Sequence, residues 1–339
     1  MPNNPTKILL STTLIGGILI SISSNSWLGA WMGLEINLMS FIPLMSSQEN
    51  IYTTEASLKY FLVQALASSS LLFLVMMKAL TSQMIITSNM HSYAIMTPLL
   101  MKMGAAPLHW WFPSVMEGLS WTNCLLMMTV QKAAPMMLVS YLMKMNPLSL
   151  LIILTSVMVG SMGGMNQTSL RKILTYSSIN HTGWMLTAMM GGTNMWILYF
   201  AVYSLLTLTV TTIAKSYNIS FVNQTMIVNK SATVKFMLFT TLLSLGGLPP
   251  FIGFLPKWAV IQLMITNNLS FIMVVMVVTS LMTLYYYLSI CYSSFMILHE
   301  EMKWNTWTNT QNKNILYGMI LTSASMMGLL VSTMTININ

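Results

Sequence analysis

Gly104-Ala105-Ala106-Pro107-Leu108-His109-Trp110-Trp111-Phe112-Pro113 has a counterpart in Gly247-Leu248-Pro249-Pro250-Phe251-Ile252-Gly253-Phe254-Leu255-Pro256. Each stretch reads Gly, Pro three residues later and Pro nine residues later, with bulky apolar residues before the last Pro. A lysine stands beside each, Lys102 before the first and Lys257 after the second. Gly and Pro interrupt helices, and both stretches lie inside strongly apolar segments. Helix breakers beside a lone cation, placed twice in a membrane, point to a transport site built from a duplicated unit.

The composition supports the membrane setting. The chain has 339 residues, 55% hydrophobic and 6% charged, with mean hydropathy +0.70. A soluble domain of this size could not keep its surface wet with so few charges. The net charge of +8 is therefore a topology signal and not a sign of nucleic-acid binding. There is no Asp, and there are six Glu. Cys124 and Cys291 lie far apart in apolar stretches, an arrangement of buried small hydrophobes and neither a disulfide framework nor a metal site. The 37 methionines are read as gap-filling apolar residues. The N-terminus carries one Lys before the apolar run from Ile8 and lacks a small-residue cleavage site and an Arg-rich presequence, so the first apolar run is expected to be a retained span.

A span needs about 20 mostly apolar residues. On that criterion the fold is an all-α polytopic membrane protein with about eleven transmembrane helices. Their expected limits are Ile8 to Ser24, Ser26 to Met45, Leu58 to Met77, Tyr93 to Trp111, Leu119 to Met143, Leu148 to Met165, Ile173 to Met190, Asn194 to Ala214, Val234 to Phe254, Leu269 to Met296 and Ile315 to Met334. The longest polar stretches, Ser216 to Ser231 and His299 to Lys313, are too short for a further domain. An odd number of spans puts the termini on opposite sides. The N-terminal side then carries Lys7, Lys59, Arg171, Lys172, Lys215, Lys230, Lys235, Lys303 and Lys313, and the other side only Lys78 and Lys144. That bias places the N-terminus on the side of synthesis. The two Gly/Pro stretches fall on the fourth and ninth spans and so run in opposite directions. The reading is one transmembrane domain over residues 1–339, with helices 8–45 preceding two inverted repeats, roughly 58–214 and an incomplete 215–339.

Charges within spans are costly, about 2.5–3.5 kcal/mol at a helix centre, and functional by default. Glu35, in Trp31-Met32-Gly33-Leu34-Glu35-Ile36-Asn37, is the acidic residue in mid-span. Lys102 sits at the first break, where an ammonium or water can satisfy freed carbonyls. Lys132 lies mid-span in Val130-Gln131-Lys132-Ala133-Ala134-Pro135, and Pro135 perturbs the preceding turn. Lys257 closes the second stretch nearer a span end, where snorkelling competes with function. Desolvation lets a lysine exchange its proton, so lysines at similar depth ending in a Glu meet the needs of a proton relay. His109, seven residues after Lys102, and His181, in the polar patch Tyr176-Ser177-Ser178-Ile179-Asn180-His181, either pass protons or make interhelical hydrogen bonds. Glu117 either serves the mouth of a proton path or is a loop residue. His91, His299, Glu300 and Glu301 read as solvated, and Arg171 and Lys172 as topology determinants. There is no Walker loop, dinucleotide fingerprint or Cys/His cluster, so the energy source must be an ion gradient or partner subunits.

Several stretches resemble the chain 2 family of NADH-ubiquinone oxidoreductase, the antiporter-like membrane subunits of respiratory complex I. They are Gly29 to Asn37 with Phe41-Ile42-Pro43, Glu55 to Phe61, Lys102 to Pro113, Gln131 to Pro135, Asn166-Gln167-Thr168 with Arg171-Lys172, Ser177-Ser178-Ile179 with His181 and Gly183-Trp184, and Leu245 to Trp258. Eleven spans fit the family's shortened animal mitochondrial form. The resemblance implies a multi-pass protein of the mitochondrial inner membrane, N-terminus in the matrix and C-terminus in the intermembrane space. It implies a proton-translocating function as a subunit of NADH:ubiquinone reductase, and a charged axis on Glu35, Lys102, Lys132 and Lys257. It further implies no cofactor and no metal in this chain, with NADH, FMN, iron–sulfur clusters and ubiquinone held by partner subunits. The implied partners are membrane lipids and other membrane-arm subunits, including neighbouring antiporter-like ones, with no nucleic acid. Two other readings stay open: a stand-alone cation/proton antiporter, and a structural membrane subunit with no ion path.

Overall fold

The computed structural model describes residues 5–47, 50–80, 88–227, 232–292, 318–320, 322–326 and 328. The chain divides into two compact units, Met1–Ser149 and Leu150–Asn339. Among the described residues the secondary structure is helical, apart from an isolated bridge between Ser169 and Phe221. Apolar surroundings leave a backbone polar group no water to bond, so the chain satisfies its own N–H and C=O groups within helices.

The first unit opens with α1 (Pro5–Ser23) and α2 (Trp27–Met45), close to the limits expected for the first two spans. The turn between them is fixed by Ser26, whose Oγ accepts the Gly29 N–H at 3.2 Å and caps α2. The two helices approach until their backbones touch. A Cβ on Gly33 would lie 2.5 Å from the Ser21 nitrogen and 2.8 Å from the Gly17 carbonyl oxygen. Small residues at a crossing allow this approach in a membrane. Gly33→Ala is therefore expected to cost about 1–3 kcal/mol through overpacking, read as a lower unfolding midpoint of the purified protein.

The third helix, α3 (Ile51–Leu80), is longer than the expected Leu58 to Met77. Its added first turns carry an exposed Glu55–Lys59 ion pair at 2.6 Å, four residues apart, which supports helix beyond the apolar limit. After α4 (Ser88–Met103) the chain breaks over residues 104–110 and resumes as α5 (Trp111–Gly118). The single fifth span expected over Leu119 to Met143 is instead two helices, α6 (Trp121–Met128) and α7 (Val130–Ser140). The interruption falls at Thr129 (φ −114°, ψ −74°), whose hydroxyl donates to the Leu125 carbonyl at 2.8 Å. It lies a turn before the place where Pro135 withholds a donor from the Gln131 carbonyl.

The second unit contains nearly all of α8 (Pro147–Gly164), then α9 (Leu170–Met189), α10 (Thr193–Ser216), α11 (Val222–Ile227), α12 (Ala232–Gly246), α13 (Phe254–Thr266) and α14 (Ser270–Tyr292). Helix α9 is polar for a membrane helix, yet from Ile173 to Met189 every residue except Tyr176 is buried. Its hydroxyls are satisfied inside the helix. Thr175, Ser177, Ser178, Thr182 and Thr187 each donate to the carbonyl three residues back, at 2.6–2.9 Å. The ninth span, expected over Val234 to Phe254, ends at Gly246, and α13 occupies chain that the sequence left between spans.

Six described helices are long and apolar enough to cross a membrane: α1, α2, α3, α8, α10 and α14. Shorter apolar helices cover Lys235–Gly246 and Phe254–Thr266. The expected eleventh span lies mostly outside the described residues, as do Lys230, His299, Glu300, Glu301, Lys303 and Lys313.

Candidate functional site

The two Gly/Pro stretches end their helices in the same way. In the first unit Gly104 takes φ +70°, its N–H bonds the Met101 carbonyl at 3.2 Å, and the Ala105 N–H bonds the Leu100 carbonyl at 3.1 Å. In the second unit Gly247 takes φ +83°, its N–H bonds the Ser244 carbonyl at 3.0 Å, and the Leu248 N–H reaches the Leu243 carbonyl at 3.4 Å. Both are Schellman caps, which need a residue in the left-handed region and so favour glycine.

A Schellman cap leaves further carbonyls at the helix end, and the two units satisfy them differently. At the end of α4, the Gln64 Nε2–H donates to the Lys102 carbonyl at 3.3 Å, and the Trp111 Nε1–H adds a second bond, at 3.1 Å, to the Met101 carbonyl already held by the cap. At the end of α12 the donor is a cation. Lys257, 5% exposed on the first turn of α13, reaches back across the break with its Nζ 2.8 Å from the Gly246 carbonyl oxygen and 3.5 Å from that of Leu245. An ammonium at a helix C-terminus also complements the helix dipole. The Nζ lies 5.8 Å from the Trp184 ring centroid, within cation–π range. Lys257 is therefore an inward cap and not a snorkelling side chain.

Lys102 and Lys132 belong to the first unit and are 7% and 2% exposed. Lys132 on α7 places its Nζ 4.9 Å from the centroid of the Phe112 ring. Phe112 also packs on the break, where a Cβ added to Gly104 would lie 3.1 Å from the Phe112 Cβ. The ring thus connects the helix break with the second lysine. Glu35 on α2 is half-buried. Its carboxylate attracts the Lys102 ammonium from beyond the 4.0 Å of a direct ion pair.

Neutral side chains missed by the sequence reading tie together the helices that carry these charges. Gln131 on α7 donates through Nε2 to the Asn37 Oδ1 at 2.9 Å and accepts the Tyr60 hydroxyl at 3.3 Å through Oε1. Asn37 lies two residues from Glu35, and Gln131 directly precedes Lys132. Tyr60 is held between Phe41, at 5.4 Å and near-perpendicular, and Trp111, at 5.9 Å. The available signal was an amide at Gln64 in a long apolar helix, and amides beside Glu35 and Lys132. All three lack charge, the feature that makes a polar residue conspicuous within a span.

The remaining expected positions are more separate. His109, buried within the first break, has its Nδ1 3.3 Å from the Pro107 carbonyl oxygen and stacks on Trp110 at 5.0 Å. The chain turns between Lys102 and His109, so no continuous helix gives them a shared face. Glu117 is exposed at the end of α5. His181 in the second unit joins two helices, with Nδ1 2.9 Å from the Tyr199 hydroxyl and its ring 5.1 Å from that of Tyr203. That geometry matches the interhelical bond weighed for His181 from the sequence. Cys124 is buried and turns its thiol to the Met116 and Leu119 carbonyls at 3.6 and 3.7 Å.

The family NADH:quinone oxidoreductase/Mrp antiporter, TM, matches residues 24–283. NADH-ubiquinone oxidoreductase chain 2 of Anopheles gambiae is 49% identical over 327 residues, 95% of either chain. The same-named protein of Locusta migratoria is 44% identical over 335 residues, 98% of either chain. Among solved structures, a chain of respiratory complex I from Thermus thermophilus with bound aureothin superposes with TM-score 0.82 at 24% identity, covering 98% of this chain and 80% of that one. A chain of the Mrp complex from Dietzia sp. DQ12-45-1b gives TM-score 0.78 at 17% identity, covering 86% of this chain and 61% of that one. At those identities the two structures speak to the fold alone. The paired helix breaks, their buried lysines and the match across residues 24–283 lead to one conclusion: the chain belongs to the NADH:quinone oxidoreductase/Mrp antiporter transmembrane family.

Proposed function

We propose that this chain is a membrane-arm subunit of respiratory complex I, NADH:ubiquinone oxidoreductase, and takes part in proton translocation across the mitochondrial inner membrane. One observation carries the reading: the two helix breaks have matching caps, and each has a buried lysine beside it. Buried cations in a membrane protein mark ion paths by default. Redox chemistry in other subunits changes the charge near Glu35, and Glu35 and Lys102 respond as an electrostatically coupled pair. Lys132 carries the proton onward, and Lys257 passes charge to a neighbouring antiporter-like subunit or governs exit. To do so Lys257 leaves the carbonyls it caps at the end of α12, so its step is tied to the geometry of the second break. His109, His181 and Glu117 have supporting places in this scheme.

The reading includes eleven spans in a single domain, two inverted repeats over 58–214 and 215–339, and an N-terminus in the matrix. It leaves NADH, FMN, iron–sulfur clusters and ubiquinone to partner subunits, with no redox centre in this chain. The matching family also takes in Mrp antiporters, which supports a second reading, a stand-alone cation/proton antiporter. Purification of the native membrane assembly separates the two. Co-purification with NADH-oxidising subunits is the expected result. Recovery of a cation/proton exchanger lacking those subunits would overturn the proposal.

A further inference from the structure

The neutral cluster of the first unit encloses a small cavity. Its walls include Asn37 from α2, Tyr60 and Gln64 from α3, Lys102 from α4, and Gln131 and Pro135 from α7. The volume is about 10 Å³, near the threshold for one water molecule. A buried water also needs two to four polar partners. After the bonds already described, Gln131 retains one amide N–H, and Pro135 supplies no N–H to the Gln131 backbone carbonyl. The Asn37 Nδ2 and the Gln64 Oε1 have no hydrogen-bond partner among the described residues. The site therefore offers both donors and acceptors around a space of one water, against the wall formed by Lys102.

We propose that this cavity is a specific site for a single water, with Asn37, Gln64 and Gln131 as positioning residues that hold it at hydrogen-bond distance from the Lys102 ammonium. An amide keeps its N–H protons at physiological pH, so the cluster can orient a proton carrier but cannot be one. The water is the first carrier available to Lys102. The Asn37–Gln131 bond spans the Glu35-bearing and Lys132-bearing helices. A change in their spacing therefore alters the cavity and the hold on the water together. The role assigned to the water rests on the proton-relay reading, whereas its binding does not.

Two measurements test the proposal. A map of the native assembled complex, at a resolution that shows ordered waters, is expected to show one water within hydrogen-bond distance of Lys102 and at least two of the three amides. A cavity without density in such a map overturns the site. The second measurement compares variants in the assembled complex. Gln131→Leu alone strands its polar partners and is expected to lose most of the protons pumped per NADH. The triple variant Asn37→Leu, Tyr60→Phe, Gln131→Leu removes the polar partners together, which restores a purely structural contact at little cost. Persistent loss of pumping in an assembled triple variant supports the positioning role, and recovery to normal pumping overturns it. If the triple variant does not assemble, the water map decides. Failure of the relay reading looks different: normal pumping by Lys132→Met would leave the water in place and remove only its role.

Discussion

A Gly253→Ala chain is expected to be missing from the assembled complex. The segment from Gly247 to Gly253 folds back until its backbone meets the last turn of α12. A Cβ on Gly253 would lie 1.8 Å from the Ser244 carbonyl oxygen and 3.3 Å from the Leu206 Cδ1. The first of these atoms is backbone and cannot rotate aside. Ser244 is also the residue whose carbonyl receives the Gly247 N–H in the helix cap. Relief of the clash therefore opens the cap, and the Gly246 carbonyl that holds Lys257 moves with it. The cost is about 4 kcal/mol or more, the range left for overpacking that the backbone cannot absorb. The position six residues after the first glycine, Trp110, has no such constraint and is 81% exposed. Trp110→Ala is thus the matched control, expected to keep normal abundance. Immunodetection of the two variants in resolved native membrane complexes checks the contrast.

This pair of positions also shows how far the sequence could be read. Gly104 and Gly247 were legible as helix breaks because a glycine followed by prolines, in an apolar run, has few other structural meanings. The buried lysines were legible because charge in a membrane is rare. The difference between Trp110 and Gly253 was not, since the repeat spacing treats them as equivalent and only the three-dimensional path of the chain brings Gly253 onto Ser244. The same limit applies to Lys257. Its place near a span end resembles that of a snorkelling lysine, and its bond to the Gly246 carbonyl depends on the angle between α12 and α13. Helix α13 itself was hidden because 13 residues do not make a span by length. The interruption at Thr129 had no Gly or Pro to announce it. Asn37, Gln64 and Gln131 carry no charge, and their importance appears only when three helices bring their amides to one cavity.

The second large effect is expected at Lys132. Its side chain is almost wholly buried, and its ammonium lies over the Phe112 ring. Methionine at this place fills nearly the same volume and keeps contact with the ring, so packing changes little. The proton-bearing group is lost. A variant that assembles normally yet fails to couple therefore isolates chemistry from structure, which separates the relay from the reading of this chain as a purely structural subunit. Coupled turnover is expected to fall by about 100-fold, the low end of what a positioned proton-transfer group contributes. The direct measurement is protons pumped per NADH oxidised by the assembled Lys132→Met complex in sealed vesicles. A marked fall in coupled turnover, with fewer protons pumped per NADH, is the expected result. Full turnover with full pumping stoichiometry in that variant would contradict it.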